Sequence, residues 1–484
     1  MRTGRRMRFT LPSGGRGDDA EAASYSTGAL GVGRGEGWRV QAEAGIESWV
    51  RALTAVAPPE DEALRRAAVP GRVRGIGVDL WARVRAARGG AGGVMRRGLR
   101  EARALHSRER RLVGDLLRSL VRVEPLLALA RPADGPLGQW LAWLVHLGLD
   151  PEAVSDEEGL AALGEVVDLA EAARSALADL EPAAALGALL GLQGAVAARV
   201  GADLLRGTGD PTAFLAGSAE RAPVGLRAHG MPRDELVARL RAEGLDPEPG
   251  RWAADAVVLP AGSHLGGLGL PPDAYELQDE GSQLVAALLD VRPGERVLDA
   301  CAGAGGKTLA LGRALGGSGT LWATDVRGPA LGELKRRAHA AGVRVRTALL
   351  REEGPSVELG SAFDAVLVDA PCTGSGVWRR HPELRWRLAD LEATTALQDR
   401  VLRASAARVR PGGRLVYATC SVLRAEGEDR VDAFLAEHPG WTLVPARQAL
   451  PTLDRALVDG PFLRTWPERH GVDGFFGACL ERVG

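Results

Sequence analysis

Two cysteines stand where a thiol could act as a nucleophile: Cys372 in DAPCTGSG (369–376) and Cys420 in YATCSV (417–422). Each follows an apolar, strand-like run, FDAVLVDA and RLVYATCS, so both thiols are expected at the ends of adjacent strands with the carboxylate of Asp369 beside them. Free cysteine is usually a small buried hydrophobe, which gives two of them no reason to occupy strand rims. Covalent catalysis by a thiolate gives such a reason. The remaining cysteines, Cys301 and Cys479, read as packing residues. None of the four has C-x-x-C spacing, which argues against both a disulfide framework and a zinc site, and no metal is expected.

A second constellation is AGAGGKT, comprising Ala302, Gly303, Ala304, Gly305, Gly306, Lys307 and Thr308. Glycines of this kind let backbone approach a ligand at the start of a helix. A phosphate loop would need Gly at position 301, where the chain has Cys, and the G-x-G-x-x-G dinucleotide spacing also fails because Gly303 and Gly305 are followed by Thr308. What remains is a loop preceded by Asp299 and followed by Asp325 in WATDV, a carboxylate placed to hold a ribose diol. Lys307 is one of only two lysines among 61 basic residues. A chain that writes nearly every cation as Arg keeps Lys where a compact ammonium must reach one point in a tight loop. The segment WRRHPELRWR (378–387) interleaves Trp378 and Trp386 with Arg379, Arg380, Arg385 and Arg387, stacking planes and phosphate partners that suit a single-stranded nucleic acid.

The elements that must position these residues follow from length and pattern. A chain of 484 residues, 45% hydrophobic, with 61 Lys plus Arg against 62 Asp plus Glu, calls for two or three domains. Residues 1–37 read as a loose Gly/Ser/Arg-rich tail without an apolar run behind its arginines, so a cytoplasmic protein is expected. The longest uncharged stretch, Pro182 to Ala198, is too short and too rich in Ala and Gly for a membrane span and reads as a buried helix. Residues 38–206 show helical periodicity, as in RERRLVGDLLRSLVRVEPLLALA, and form an expected all-α domain. Within it, Arg72 to Arg118 holds thirteen Arg against four acids and Asp150 to Glu181 holds ten acids against one Arg. The basic segment is either a phosphate-binding face or a solvated surface paired with the acidic one.

Residues 207–277 read as a small α/β module built on APVGLRA, PRDELVARLRAEG and AADAVVLP. From 278 to 484, the runs RVLDA, TLWATDV, RVRTALL, FDAVLVDA and RLVYATCS alternate with helical stretches, which implies a doubly wound, mostly parallel sheet with ligands at the carboxyl ends of its strands.

From Ala219 onward the chain resembles the Fmu/Sun-type RNA cytosine-C5 methyltransferases, in the branch that acts on bacterial 16S ribosomal RNA. The resemblance rests on ERAPVGLRAHG, LQDEGSQLVA, VLDACAGAGGKT, DAPCTGSGVWRRHPELRWR, YATCSVLRAEGEDRVDAFL and DGFFGACLER, in that order. LHSRERRLVGDLLRSLVR looks like the helical NusB-type RNA-binding domain that this branch carries. The resemblance implies a Rossmann-like catalytic domain that uses S-adenosylmethionine, bound over Ala302 to Lys307 with Asp325 on its ribose and Asp369 nearby. It further implies that Cys420 attacks cytosine C6, that Cys372 assists release, and that Asp369 meets the N3 and amine edge of a flipped-out or unpaired base. Gly303 and Ala304 replace the usual Ala-Pro of the loop, and His229 and Gly427 replace Asn in a chain that has none. The acid expected after the third strand, near adenine, falls on Arg351 or Glu352. An RNA-binding assembly factor with weakened catalysis, and a DNA cytosine methyltransferase, are the competing readings. The second is disfavoured because those enzymes need no cysteine on the fifth strand.

Overall fold

The apolar runs read from the sequence form the middle of one sheet. In the computed structural model, which describes residues 36–87, 90–130, 135–164, 168–351, 354–355, 359–360 and 362–484, its strands are β5 (Arg296–Asp299), β6 (Thr320–Asp325), β7 (Arg346–Arg351), β8 (Gly354–Pro355), β9 (Phe363–Asp369), β10 (Val409–Thr419), β11 (Trp441–Val444), β12 (Val458–Asp459), β13 (Phe462–Arg464) and β14 (Phe476–Arg482). The preceding strands, β1 (Val224–Ala228), β2 (Glu248–Pro249), β3 (Ala256–Leu259) and β4 (Tyr275–Leu277), make a separate antiparallel sheet of order β2-β3-β1-β4.

In the large sheet β10, β9, β5, β6 and β7 run parallel, and β14 closes against β10 antiparallel. Val366, Leu367 and Val368 of β9 and Leu415, Val416 and Tyr417 of β10 are buried, because helices cover both faces and leave no polar side to alternate with. From β5 the chain winds one way through β6 and β7 and then returns to the other side as β9 and β10. The order therefore reverses between β5 and β9, the place where such sheets bind ligands.

Residues 42–484 form one unit. Helices continue from Glu36–Thr54 to Pro211–Ala219, so the boundary read at residue 206 falls inside the helix Gly194–Thr208 and the α/β module begins near Val224. The stretch Pro182 to Ala198 is not one buried helix but parts of two, Pro182–Leu189 and Gly194–Thr208, bent by 101°. They cross so closely that a Cβ on Gly201 would lie 1.8 Å from the Ala183 carbonyl oxygen. Among the described residues no single helix is long and apolar enough to cross a membrane. Three buried tryptophans of the helical region satisfy their indole N–H groups: Trp81 donates to Gln139, Trp140 to the Ala67 carbonyl and Trp143 to Ser119.

The helical region shares its core with the large sheet's loops, since Trp378, Leu388, Val422, Leu423 and Trp466 belong to the same buried cluster as Leu117 and Trp140. Here the reading of WRRHPELRWR as an RNA surface is corrected. Trp378 is 5% exposed and packs on Phe214 with ring centroids 5.7 Å apart. Arg379 donates to Asp473 at 2.7 Å and to Asp279 at 3.3 Å, and Arg380 to the same two carboxylates at 2.6 and 2.9 Å. Arg385 is buried and donates to the backbone carbonyls of Val121 and Arg122 in the helix Ser107–Ala130. Trp386 packs against the shared core, and of the six residues only Arg387 is exposed. Aromatic and guanidinium groups that suit RNA also suit a dock between two layers of protein, and a sequence does not distinguish the two.

Among the described residues the basic segment pairs with the acidic one at one point, Arg74 to Asp156 at 2.5 and 3.1 Å, where Arg74 is buried. Arg96, Arg97, Arg100, Arg103, Arg108 and Arg111 are exposed and form no ion pair among the described residues. Removing one partner of a buried ion pair leaves an uncompensated charge. Arg379→Ala is therefore expected to lower the free energy of unfolding by about 3–5 kcal/mol, measured by denaturant titration.

Candidate active site at the carboxyl ends of the central strands

The loop after β5 is held open by backbone geometry. Gly303 and Gly305 adopt φ of +56° and +95°, and a Cβ on Gly305 would come within 2.8 Å of Leu334, so Gly is required there. Gly305 is the N-cap of the helix Gly306–Ala314, whose first amides have no partner within the helix. Asp325 at the end of β6 accepts from the Gly303 amide at 2.8 Å and from the Arg327 amide at 2.8 Å, fixing the loop from the neighbouring strand. Asp299 at the end of β5 accepts from Thr308 at 2.7 Å, while its other oxygen is buried without a hydrogen-bond partner.

Across the switch point, the β9 and β10 loops meet. Ala370 donates to the Ala418 carbonyl at 2.8 Å and Gly376 to the Cys420 carbonyl at 3.0 Å. These bonds set Cys372 Sγ 3.3 Å from Cys420 Sγ. Lys307 reaches over from the Gly-rich loop and donates to Asp369 Oδ2 at 2.7 Å, with its Nζ 5.0 Å from the Phe475 ring. The structure thus brings together Cys372, Cys420, Asp369 and Lys307, with Ala302 to Gly306 and Asp325 alongside. It does not bring Arg379, Arg380 or Arg385 into this group as free cations. Of the two candidates for a third-strand acid, Arg351 is exposed at the end of β7 and Glu352 lies outside the described residues. Gly427 stands against the Phe476 ring, where any Cβ would be 3.0 Å from it. Cys479 is buried in the β14 face of the core, in keeping with a packing role.

Electrostatics separate the groups. The hydrogen bond to Cys420 and burial push the Cys372 thiol well above its ordinary value, and the charges of Cys420, Glu426 and Asp369 act the same way. Burial works to lower the Lys307 ammonium, but the charge and hydrogen bond of Asp369, aided by Cys420 and Asp299, outweigh it and hold it above the usual lysine range. The site therefore presents a fixed cation, a carboxylate and a thiol pair in which Cys372 keeps its proton. Burial, with Asp369 nearby, pushes Asp299 up to about 7 against the opposing bond from Thr308.

Sequence reasoning missed Glu426, a fully buried carboxylate beneath both loops that accepts from Thr373, Gln398 and Ser421. It lies in RAEGED, where flanking acids hide it, and nothing in that pattern marks one acid as buried.

Residues 286–481 match the family model of the 16S rRNA methyltransferase RsmB/F. A Mycobacterium tuberculosis relative named only as a methyltransferase is 40% identical over 285 residues, 57% of this chain and 60% of that one. The ribosomal RNA small subunit methyltransferase B of Thermus thermophilus is 39% identical over 223 residues, 45% of this chain and 51% of its own length. That of Xylella fastidiosa is 37% identical over 279 residues, 55% and 64%. The chain thus spans between half and two thirds of the length of these curated relatives. Among solved structures, PH0851 superposes with a TM-score of 0.62 at 22% identity, covering 86% of this chain and 99% of that one, which shows the fold. A Pyrococcus horikoshii methyltransferase homologue superposes at 0.51 with 25% identity, covering 63% and 100%.

Asp299 sets a pH dependence. Its folded value of about 7 lies above the ordinary 3.8, so between these values the folded protein binds more protons than the unfolded chain, and stability falls as pH rises through that window. Asp299→Asn removes the titration and keeps an acceptor for Thr308. Thermal melts are expected to show the variant gaining on the native protein between about pH 4 and pH 7, with no further divergence above.

Proposed function

We propose, from the match of residues 286–481 to the family model of the 16S rRNA methyltransferase RsmB/F, that this protein methylates cytosine C5 in RNA, with a cytidine of 16S ribosomal RNA as its target. The observation that carries the reading is the pair of thiols, Cys372 and Cys420, 3.3 Å apart beside the Lys307–Asp369 ion pair. Cytosine C5 is a poor nucleophile until a thiolate adds at C6. Cys420 forms that bond, and the electron pair it displaces enriches C5. Asp369 meets the N3 and exocyclic amine edge, and the Lys307 ammonium held against it faces the negative charge that develops on the ring. After methyl transfer, the C5 proton leaves and the electron pair returns to break the C6–S bond. Cys372 assists this step. Once Cys420 is bound to carbon, the hydrogen bond and the charge by which it held the Cys372 proton are gone; Cys372 then releases that proton to solvent and, as the thiolate, takes the C5 proton while the C6–S bond breaks.

The residues fit S-adenosylmethionine, which supplies the methyl group when bound. Glycines hold the loop open, a Cβ on Gly306 would meet nothing within 4 Å, Asp299 presents an unpartnered oxygen, and Asp325 stands at the neighbouring strand end. Ala302 to Lys307 would line this ligand and Asp325 would hold its ribose. For RNA phosphates, the exposed Arg96, Arg97, Arg100, Arg103, Arg108 and Arg111, with Arg387, replace the inward-facing arginines of the dock. The base enters unpaired or flipped, since a duplex hides both C5 and C6.

Asp325→Ala is expected to weaken S-adenosylmethionine binding by about 1.5–3 kcal/mol, the contribution of a charged hydrogen bond, in titration calorimetry. The two thiols are expected to fail differently when RNA reactions are run on denaturing gels. Cys420→Ala forms no covalent complex and transfers no methyl group, while Cys372→Ala accumulates a covalent RNA complex that the double variant loses. If Cys420→Ala is the one that traps RNA, the roles are exchanged. If neither traps and both remain active, the covalent route is wrong.

A further inference from the structure

Beneath the two thiols lies a carboxylate that the proposed chemistry does not use. Glu426 has no exposed surface, and four donors converge on it. Its Oε1 accepts from the Thr373 amide at 2.8 Å and from Gln398 Nε2 at 3.0 Å, and its Oε2 accepts from the hydroxyls of Thr373 and Ser421, both at 2.5 Å. Thr373 adjoins Cys372 and Ser421 adjoins Cys420, so one side chain grips both nucleophile loops one residue away from each sulfur. An ionised carboxylate is acceptor-only, with about four lone-pair sites, and all four are met by donors here.

The network has a fixed direction. The Val422 amide donates to Ser375 at 2.9 Å, the Ser375 and Ser421 hydroxyls are 2.9 Å apart, and the Leu423 amide donates to Ser421 at 3.2 Å. With Ser421 receiving from that amide and from Ser375, its own proton goes to Glu426. The turn carrying Glu426 is itself fastened, because Tyr417 donates to the Glu426 carbonyl at 2.9 Å and the Ala425 amide donates to buried Asp203 of the helical region at 3.2 Å. A neutral amide at position 426 would set an N–H against a donor on one side or reverse the hydroxyl chain on the other, leaving a buried group unpaired in either case.

We propose that Glu426 is a positioning residue that fixes the separation of Cys372 and Cys420, keeping the Cys372 thiol in hydrogen-bond range of the Cys420 sulfur. The role in catalysis rests on the methyltransferase reading above, whereas the role in thiol geometry does not. Glu426 touches neither sulfur and acts only through Thr373 and Ser421. The cofactor loop hangs from Asp325 and Asp299 on other strands, so it keeps its geometry when Glu426 is changed.

The test uses the full chain carrying Glu426→Gln, Thr373→Val or Thr373→Ser. The first readout needs no RNA: the rate of Cys420 alkylation by iodoacetamide, followed against pH by peptide mass spectrometry. In Glu426→Gln and Thr373→Val the midpoint of that profile is expected to rise, since Cys372 no longer donates to the Cys420 thiolate, and Thr373→Ser is expected to restore it. The second is single-turnover methyl transfer at saturating RNA and S-adenosylmethionine. Glu426→Gln is expected to slow it by about 100-fold, as misplacement of a reacting group does, with KM for RNA and cofactor affinity unchanged. An unmoved midpoint in both Glu426→Gln and Thr373→Val overturns the proposal, as does a Thr373→Ser protein that behaves like Thr373→Val. So does a parallel fall of melting temperature, cofactor affinity and rate, which marks a merely structural role. Should Glu426→Gln not fold, the two Thr373 variants decide alone. If the native protein transfers no methyl group to RNA, the functional reading fails, and the alkylation midpoints still decide the positioning role.

Discussion

The pairing of β9 with β10 is the constraint on which the site depends. The strands run parallel with Asp369 opposite Ala418, so the chain leaves each strand at the same level and Cys372 and Cys420 follow within a few residues. A slip of one residue in that register would turn every side chain of one strand to the other face and carry its cysteine away from its partner. The register is secured where the burial is greatest, by Leu367 and Val368 against Val416 and Tyr417, all without exposed surface. Apolar packing in the middle of the sheet thereby decides the distance between two sulfurs at its edge.

Charge is arranged around that edge in layers. Nearest the thiols, Lys307 and Asp369 neutralise one another while remaining partly reachable, with side chains 10% and 29% exposed. Below them Glu426 is met entirely by neutral donors, which lets an ion sit in the interior without a counter-charge. Beyond them Arg379 and Arg380 bind Asp279 and Asp473 in a buried quartet of two cations and two anions. Asp279 caps the helix Glu280–Leu288, and the Gly474 amide beside Asp473 donates to Gly376 at 2.8 Å, so the quartet joins three segments remote in sequence around the site. Ion pairs of this kind contribute more to geometry than to stability, because desolvation offsets much of the attraction.

The helical region is part of the same construction. Its long helix Ser107–Ala130 receives Arg385 on two carbonyls, Phe214 receives Trp378, and Asp203 holds the turn that carries Glu426. A region read as an RNA-binding addition thus also buries the loops of the large sheet. The surface left for a polyanion is the set of exposed arginines between Arg96 and Arg111 that form no ion pair among the described residues.

The sequence by itself determined the doubly wound class and the identity of the chemical residues, because these depend on local signals: apolar runs that cannot face water, glycine-rich turns, and cysteines and carboxylates at strand ends. It was enough to place Cys372, Cys420, Asp369, Lys307 and Asp325 at one rim. Tertiary structure alone decided which polar groups face inward. Arg379, Arg380, Arg385 and Trp378 carry the composition of a nucleic-acid surface, yet Arg385 and Trp378 are buried and Arg379 and Arg380 are held by Asp279 and Asp473, while Glu426, one acid among several in RAEGED, became the centre of a hydrogen-bond network. The direction of a charged side chain is set by partners far away in the chain, such as Asp279, Asp473 and the carbonyls of Val121 and Arg122, and no local pattern carries that information.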